Sequence, residues 1–240
     1  MSQRPEIVDV RYQPQIKTFM AIVNEFDLKI SNILDLGCGP GFEAGCLGLV
    51  LGTNVHGLEL DQKFHPWARP LAKLMNYNGR ILPYSDSSFD AVYSYHVLEH
   101  VVDLDTLFGE VLRVLKVGGI AYFGVPNKSR MISAFGTSYQ SLRFKIWQNV
   151  RDWKYRLMGK FDNHLGAHAG FDEKELEGLL KIHFEQVICV TDRYYNYKWP
   201  HLKSLFRFLG RLSVDRYVLP SVYFLCFKQK KRRDLKKKVA

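Results

Sequence analysis

A short apolar run followed at once by a turn with three glycines is the feature that most constrains the fold. Residues 32–36 (NILDL) have the length and apolar content of a buried parallel strand. Gly37, Gly39 and Gly41 permit positive φ angles and let the backbone approach a ligand with no Cβ in the way. A helix predicted over 42–50 points its positive end at this turn. The order strand, glycine turn, helix predicts the ligand-binding βα unit of an open α/β sheet.

Strand-like and helix-like segments continue to alternate as far as residue 126. We predict further strands at 54–60, near Ile81, at 90–95 and at 120–125, and helices at 14–27, at 62–75 with interruptions at Pro66 and Pro70, and at 104–115. Such alternation implies right-handed crossovers and a mostly parallel sheet with both faces covered. A helix that begins at Asp172, with Glu175 as its capping partner, precedes the last predicted strands at 186–191 and 218–227.

Residues 127–170 interrupt this alternation and are rich in aromatic and basic side chains. A structureless loop of this length is uncommon in a compact domain, so we expect a helical cap insertion here. Two interpretations stay open. The aromatic and arginine side chains either grip a hydrophobic or anionic acceptor, or form a helical hairpin that buries Phe144 and Trp147 with the arginines in solvent. We expect one domain over 1–227, with the cap at about 127–170, and a basic tail at 228–240.

The net charge of +10 is concentrated near the C-terminal end, where residues 228–238 hold eight Lys or Arg against one Asp. Such a tail binds an anionic membrane or nucleic acid, or only solvates the chain end. Residues 199–219 have the spacing of a basic amphipathic helix, which fits peripheral membrane contact. No segment approaches roughly 20 apolar residues, and the four cysteines show no paired spacing. We expect a cytoplasmic protein, with peripheral contact at the inner membrane face left open.

An acidic residue at the end of the second strand bears on the kind of ligand. Glu59 stands 18 residues after Gly41, where a carboxylate is able to accept two hydrogen bonds from a ribose diol. The glycine spacing differs from the dinucleotide pattern G-x-G-x-x-G, because Phe42 occupies the position of the third glycine. The pattern therefore disfavours NAD.

Four longer blocks carry a resemblance to a known family. They are LDLGCGPG at 34–41, LPYSDSSFD at 82–90, VLEHV at 97–101 and EVLRVLKVGG at 110–119. These blocks resemble the motifs of class I S-adenosylmethionine-dependent methyltransferases of the broad small-molecule family. The resemblance covers about residues 30–126, with a weaker echo at 171–192. It implies a doubly wound, seven-stranded Rossmann-like sheet, mostly parallel with one antiparallel strand, and S-adenosylmethionine as cofactor, with S-adenosylhomocysteine as product.

The resemblance also implies the cofactor-binding positions. Relatives use the acid before the first glycine, here Asp35, to organise the methionine end of the cofactor. Asn78 stands where relatives usually carry an Asp that contacts the adenine amino group, and its amide oxygen still accepts a hydrogen bond without charge. The implied set is Asp35, Gly37, Cys38, Gly39, Gly41, Glu59, Leu60, Asn78 and Ser94.

Histidines are the candidate catalytic residues. The sulfonium already activates the methyl group, so the protein mainly aligns an acceptor, and a histidine is suited to remove a proton near neutral pH. His96, just past the fourth strand, is the predicted base. His164 and His168 are predicted lid residues, with His168 the one placed in the catalytic set, whereas His100 braces a helix. No metal site is expected, because Gly166 separates the histidine pair and no third ligand accompanies it.

The predicted function is methyl transfer to a small-molecule acceptor, with an oxygen of a glycan, lipid-linked or isoprenoid-type compound ranked first. No Asn-Pro-Pro-Tyr follows strand four, which disfavours base or amide nitrogen. Three alternatives stand beside it: a nucleic-acid methyltransferase that uses the basic tail, an NAD-dependent oxidoreductase, and a non-catalytic cofactor-binding module. The sequence does not indicate an oligomeric state.

Overall fold

The computed structural model describes residues 6–132, 141–165 and 168–228, with side chains from residue 14 onward. The strands are β1 (Asn32–Leu36), β2 (Asn54–Glu59), β3 (Lys73–Asn76), β4 (Phe89–Tyr95), β5 (Leu115–Pro126), β6 (Gln186–Cys189) and β7 (Ser221–Phe227). The helices are α1 (Glu6–Glu25), α2 (Phe42–Leu51), α3 (Leu104–Val114), α4 (Leu142–Leu157), α5 (Glu173–His183), α6 (Thr191–Lys198), α7 (Lys203–Arg211) and α8 (Asp215–Val218).

The seven strands form one sheet in the order β3-β2-β1-β4-β5-β7-β6. Strands β1 to β5 pair in parallel, whereas β7 is antiparallel to both β5 and β6. The mostly parallel sheet with one antiparallel strand is therefore confirmed. The strand order reverses direction between β1 and β4, so their carboxyl ends open a crevice where ligands of such sheets bind.

Helices cover both faces of the sheet, which explains why its central strands are apolar on both sides. On one face, Phe19 of α1 packs edge-on against Tyr93 of β4, with ring centroids 5.2 Å apart. On the other face, Phe108 of α3 packs against Phe123 of β5, with centroids 5.6 Å apart. Strands buried on both faces have near-continuous apolar runs rather than alternating ones.

The region between β2 and β4 differs from the prediction. The predicted helix at 62–75 is wrong: residues 66–71 form turns, since Pro66 and Pro70 lack the N–H that a continuous helix needs. The predicted strand near Ile81 is also wrong, because Ile81 lies in a bend and is 64% exposed. The third strand is instead β3, which lies at the sheet edge. Its side chains are mostly exposed, so the sequence shows no apolar run there.

The C-terminal third contains more short helices than the sequence indicates. Helix α5 begins with a full capping box, in which Asp172 accepts from the Glu175 N–H and Glu175 accepts from the Asp172 N–H. Strand β6 ends at Cys189, so the predicted strand is too long, and α6 follows it. The predicted amphipathic segment at 199–219 contains α7 and α8 as separate helices, and the tail beyond residue 228 lies outside the described residues.

Helix α4 occupies the predicted cap insertion, of which residues 133–140 and 166–167 lie outside the described part. The interpretation that buries Phe144 and Trp147 is wrong: they are 43% and 53% exposed. Within the described residues, no helix combines the length and apolar content that crossing a bilayer requires.

Candidate active site

The glycine turn lies between β1 and α2 at the crevice. Gly37, Gly39 and Gly41 all have positive φ, at 77°, 52° and 91°. A Cβ added at Gly37 would collide with the Val97 side chain, which follows β4. The N–H groups of Gly37 and Cys38 both donate to the Leu58 carbonyl of β2, at 2.8 and 3.0 Å. The turn is thereby held between the ends of three neighbouring strands.

The Glu59 carboxylate ties the end of β2 to this turn. Its Oε2 accepts from the Gly39 N–H at 2.8 Å, and its Oε1 accepts from the Leu60 N–H at 2.8 Å. Each carboxylate oxygen has a second lone pair, so the carboxylate is still able to accept hydrogen bonds from a ribose diol. Leu60 contributes its backbone N–H to this contact, whereas its side chain points to solvent and is 57% exposed.

Two further carboxyl groups lie behind the turn. Asp35 is 1% exposed, and burial first, then Glu43 and Glu59, raise its pKa well above its usual range. Burial likewise raises the pKa of Glu43 to about 8, although a hydrogen bond with Tyr93 opposes the shift. The buried Asp35 Oδ2 accepts no hydrogen bond from the described residues. Sequence reasoning missed Glu43. The available signal was an acidic residue in the first turn of the helix that follows the glycine turn.

These groups fit S-adenosylmethionine. The methionine end of that cofactor carries an ammonium and a sulfonium, and a buried, incompletely bonded carboxyl pair is complementary to positive charge. The glycine turn leaves room for backbone approach, and Glu59 suits the ribose. When bound, the cofactor supplies an electrophilic methyl group.

The sequence block at 82–90 is held by the block at 110–119. Arg113 donates to the carbonyls of Leu82 and Tyr84 at 2.9 and 2.7 Å, and to the carboxylates of Glu110 and Asp86. Glu110 in turn accepts from the Leu82 N–H at 2.8 Å. These two blocks therefore shape the loop beside β4 through side chains rather than by strand pairing.

The predicted residues Asn78 and Ser94 have different surroundings. Asn78 is exposed, and its Oδ1 accepts from the N–H groups of Arg80 and Ile81 at 3.0 and 3.2 Å. Both lone pairs of this oxygen are thus used within its own turn, so an adenine amino group would have to displace one of them. Ser94 is 1% exposed on β4, and its Oγ makes no hydrogen bond to the described residues.

His96 lies immediately beyond β4 in a left-handed conformation, with φ at 57°. Its ring stacks on Tyr95 at 4.1 Å, and its Nε2 lies 3.3 Å from the Ser221 Oγ. Solvent reaches the side chain, yet surrounding protein, aided by Arg130 and other cationic groups, lowers its pKa to about 3. Its low pKa weakens the predicted role as general base, because an efficient base titrates near the working pH.

The second predicted histidine, His168, lies over His100, with ring centroids 4.7 Å apart in an edge-to-face arrangement. The structure thus brings His100 into the same group as His168, whereas sequence reasoning assigned His100 only to bracing a helix. His164 is exposed on a short 3₁₀ turn. Both His100 and His168 influence the pKa of His96, which places all three around one site.

Arg130 and Glu99 give this site its charge. Arg130 is 7% exposed and donates to the carbonyls of Asn127, Ala169 and His168, at 2.9, 2.8 and 3.2 Å. Glu99 is 6% exposed, and burial raises its pKa to about 7. Sequence reasoning missed both roles. Glu99 lies in the VLEHV block, but its burial depends on contacts distant in sequence.

Comparison with known proteins indicates a methyltransferase, which agrees with a site that fits S-adenosylmethionine. Residues 34–123 match a family model described as a methyltransferase domain. The fold resembles the plantazolicin methyltransferase BpumL in complex with S-adenosylhomocysteine, with a TM-score of 0.61, 15% identity, and coverage of 92% of this chain and 88% of that one. Residues 34–123 thus match a methyltransferase domain within a fold of the S-adenosylmethionine-dependent class, and S-adenosylmethionine is the cofactor of this class.

Two curated relatives indicate how far the likeness extends. The sterol 24-C-methyltransferase ERG6B of Gibberella zeae is 28% identical over 192 residues, which are 75% of this chain and 47% of that protein. Phosphoethanolamine N-methyltransferase 2 of Caenorhabditis elegans is 27% identical over 125 residues, which are 48% of this chain and 26% of that protein. The chain spans less than half the length of either relative.

Proposed function

We propose that this chain transfers the methyl group of S-adenosylmethionine to a small-molecule acceptor. The observation that carries the proposal is the Glu59 carboxylate, which accepts from both Gly39 and Leu60 and so faces the glycine turn. Asp35 and Glu43 receive the cationic methionine end, and Glu59 binds the ribose. Gly37, Cys38 and Gly41 shape the turn, and Ser94 and Asn78 lie at its margins.

For the acceptor we propose an oxygen of a glycan, lipid-linked or isoprenoid-type compound. Desolvation, the first cause of the lowered His96 pKa, disfavours an anion at this site, whereas the positive charge of Arg130, the second cause, favours an acidic oxygen placed beside His96. An acidic oxygen, such as a carboxylic acid or phenol, then reaches the methyl donor already ionised and needs little general-base help. In this proposal neutral His96 donates its ring N–H to the ionised oxygen and orients it, and His168 closes over the acceptor.

A carbon acceptor is the second candidate, because a sterol 24-C-methyltransferase matches across 75% of the chain. The two candidates share an isoprenoid-type acceptor and differ in the atom methylated. Identification of the methylated atom in the product by NMR separates them.

The cofactor part is tested by ligand-induced stabilisation. S-adenosylhomocysteine at about 100 times its dissociation constant stabilises the native state by roughly 2.7 kcal/mol, visible as a raised melting temperature. We expect Glu59→Ala to weaken cofactor affinity sharply, whereas Glu185→Ala, at an exposed acid in the bend before β6, leaves it unchanged. No stabilisation by S-adenosylhomocysteine, with equal lack of response to NAD, would leave a non-catalytic module as the better interpretation.

The acceptor part is tested with labelled S-adenosylmethionine and a panel of acidic and neutral glycans, isoprenoid carboxylic acids, phenols, alcohols and sterols. We expect transfer to acidic oxygens to exceed transfer to aliphatic alcohols. His96→Ala lowers kcat on the preferred acceptor and leaves S-adenosylhomocysteine affinity unchanged, with His201→Ala as the matched control. Unchanged turnover in His96→Ala removes this residue from the acceptor site.

We further propose that residues 1–227 act as one domain in which 127–170 caps the acceptor site. The link is Arg130, which bonds the Asp152 carboxylate of α4 as well as the His168 carbonyl. A lipid-type acceptor would be found in a membrane, so we also propose that the segment at 199–219 makes peripheral contact with the membrane surface. Exposed Leu205 and Phe208 on α7 support this contact.

A further inference from the structure

Helix α4 has the reverse of the usual burial pattern. In an ordinary surface helix the apolar stripe faces the core and the charged residues face water. The structure describes all of α4, and its single buried residue is Asp152. Its large apolar side chains are exposed instead, by 40% to 84%: Leu142, Phe144, Ile146, Trp147, Val150, Trp153 and Leu157.

Polar contacts attach this helix to the rest of the domain. Asp152 Oδ2 accepts from Arg130 at 3.2 Å, and Arg156 donates to the carbonyls of Lys128 and Arg130, both at 2.7 Å. Trp153 Nε1 donates to the Met131 carbonyl at 3.2 Å. Because charged bonds hold the inner side, the outer side is left with the apolar residues.

The exposed side chains form a continuous surface with a groove. Leu142, Ile146, Val150 and Leu157 recur at helical spacing and line an apolar groove of about 930 Å³. Met131, 50% exposed, extends the surface, and its N–H donates to the Tyr217 carbonyl of α8 at 2.7 Å. An exposed apolar surface of this extent marks an interaction site.

The charge on this helix selects the partner. Helix α4 carries five Lys or Arg and one acid, and that acid is the buried Asp152. Lys145 and Lys154 border the groove, and Arg143 is exposed beside it. Pairing with a second copy of the same surface would bring like charges together, which opposes a symmetric dimer. Apolar residues interleaved with lysine and arginine match the interface of an anionic bilayer.

We propose that the outer face of α4 docks onto a lipid bilayer that contains anionic lipids. The apolar row enters the boundary between head groups and acyl chains, and Trp147 and Trp153 lie at the polar interface. Lys145 and Lys154 contact the anionic head groups. This inference deepens the proposed function, in which the acceptor is lipid-type, because Arg130 links the docking helix to His168 at the acceptor site.

Vesicle sedimentation with the full chain tests the docking. We expect binding to phosphatidylcholine vesicles with about 30% phosphatidylserine, and much weaker binding to phosphatidylcholine alone or at high salt. Val150→Glu with Leu157→Glu, at positions 62% and 84% exposed, lowers the vesicle partition coefficient at least about tenfold. Val117→Glu with Ile182→Glu is the matched control, at apolar positions 70% and 73% exposed on other elements.

The outcomes separate this inference from the proposed function. Retained S-adenosylhomocysteine stabilisation in both double variants shows that they fold, and vesicle binding requires no methyl transfer. Equal vesicle binding by wild type and the α4 double variant overturns the proposal, because binding then resides elsewhere, as in the basic tail. Equal binding to neutral and anionic vesicles overturns the charge argument. A dimer, detected by light scattering and abolished by the α4 substitutions, overturns the proposal in favour of a second copy.

Discussion

Replacement of Arg130 by Met is expected to destabilise the domain and to disturb the acceptor site together. The guanidinium is 7% exposed and donates to three backbone carbonyls and to the Asp152 carboxylate. Asp152 is itself only 3% exposed, so loss of Arg130 leaves a buried negative charge without its better-buried partner. Breaking a buried ion pair costs about 3 to 5 kcal/mol when the remaining charge is uncompensated, and because Arg151 still lies 3.4 Å from Asp152, we expect a loss at the lower end, about 3 kcal/mol.

Urea unfolding measures this loss directly. A thermal melt gives a second measure. For a domain of this size, each kcal/mol lost from the free energy of unfolding lowers the melting temperature by roughly 2 to 4 °C, so we expect a fall of at least about 6 °C. Arg130→Met with Asp152→Leu removes both charges and recovers part of the loss, with a coupling energy of about 0.5 to 3 kcal/mol. Arg207→Met, an exposed arginine on α7, is the control and changes stability by less than about 0.5 kcal/mol.

The same substitution separates the acceptor site from the cofactor site. Arg130 holds the His168 carbonyl but has no bond to the glycine turn among the described contacts. We therefore expect Arg130→Met to lower kcat and to leave S-adenosylhomocysteine affinity unchanged at a temperature where the variant is folded. A stability loss below about 1 kcal/mol refutes the reasoning, because Asp152 would then be compensated by other means.

Three further predictions follow from the site. Gly37→Ala and Gly52→Ala both place alanine at positive φ, but only at Gly37 does the new Cβ meet another side chain, that of Val97. Gly37→Ala therefore loses more stability in urea unfolding, and equal losses contradict the steric argument. The pKa of Glu43 rises from an ordinary 4.5 to about 8 on folding, so its contribution is full below pH 4.5 and is lost as pH rises toward 8. The melting temperature of Glu43→Gln relative to wild type should then increase from pH 5 to pH 8; a constant difference disproves the shift. The pKa of His96, about 3, keeps the ring neutral at physiological pH. His96→Gln should change the level of kcat without changing its pH profile between pH 6 and 8, and loss of an inflection in that range would show that His96 titrates there.

Local sequence determined the cofactor end of the protein. Strand β1 has the predicted bounds, and the glycine turn and Glu59 follow from spacing along two consecutive βα units. The capping box of α5 likewise needs only Asp172 and Glu175, three residues apart. These features are readable because a strand, a tight turn and a helix cap each depend on neighbours in the chain.

Tertiary structure alone decided where β3 lies, how His96 titrates and which side of α4 meets water. Strand β3 is a sheet edge, so exposure erased the apolar pattern that marks other strands. The pKa of His96 depends on Arg130 and on enclosing protein contributed by distant segments. The aromatic residues of α4 look like core residues in the sequence, yet the Arg130–Asp152 pair turns the polar side inward. Burial and charge environment are properties of long-range packing, and a residue pattern within one helix does not specify which side the rest of the chain will cover.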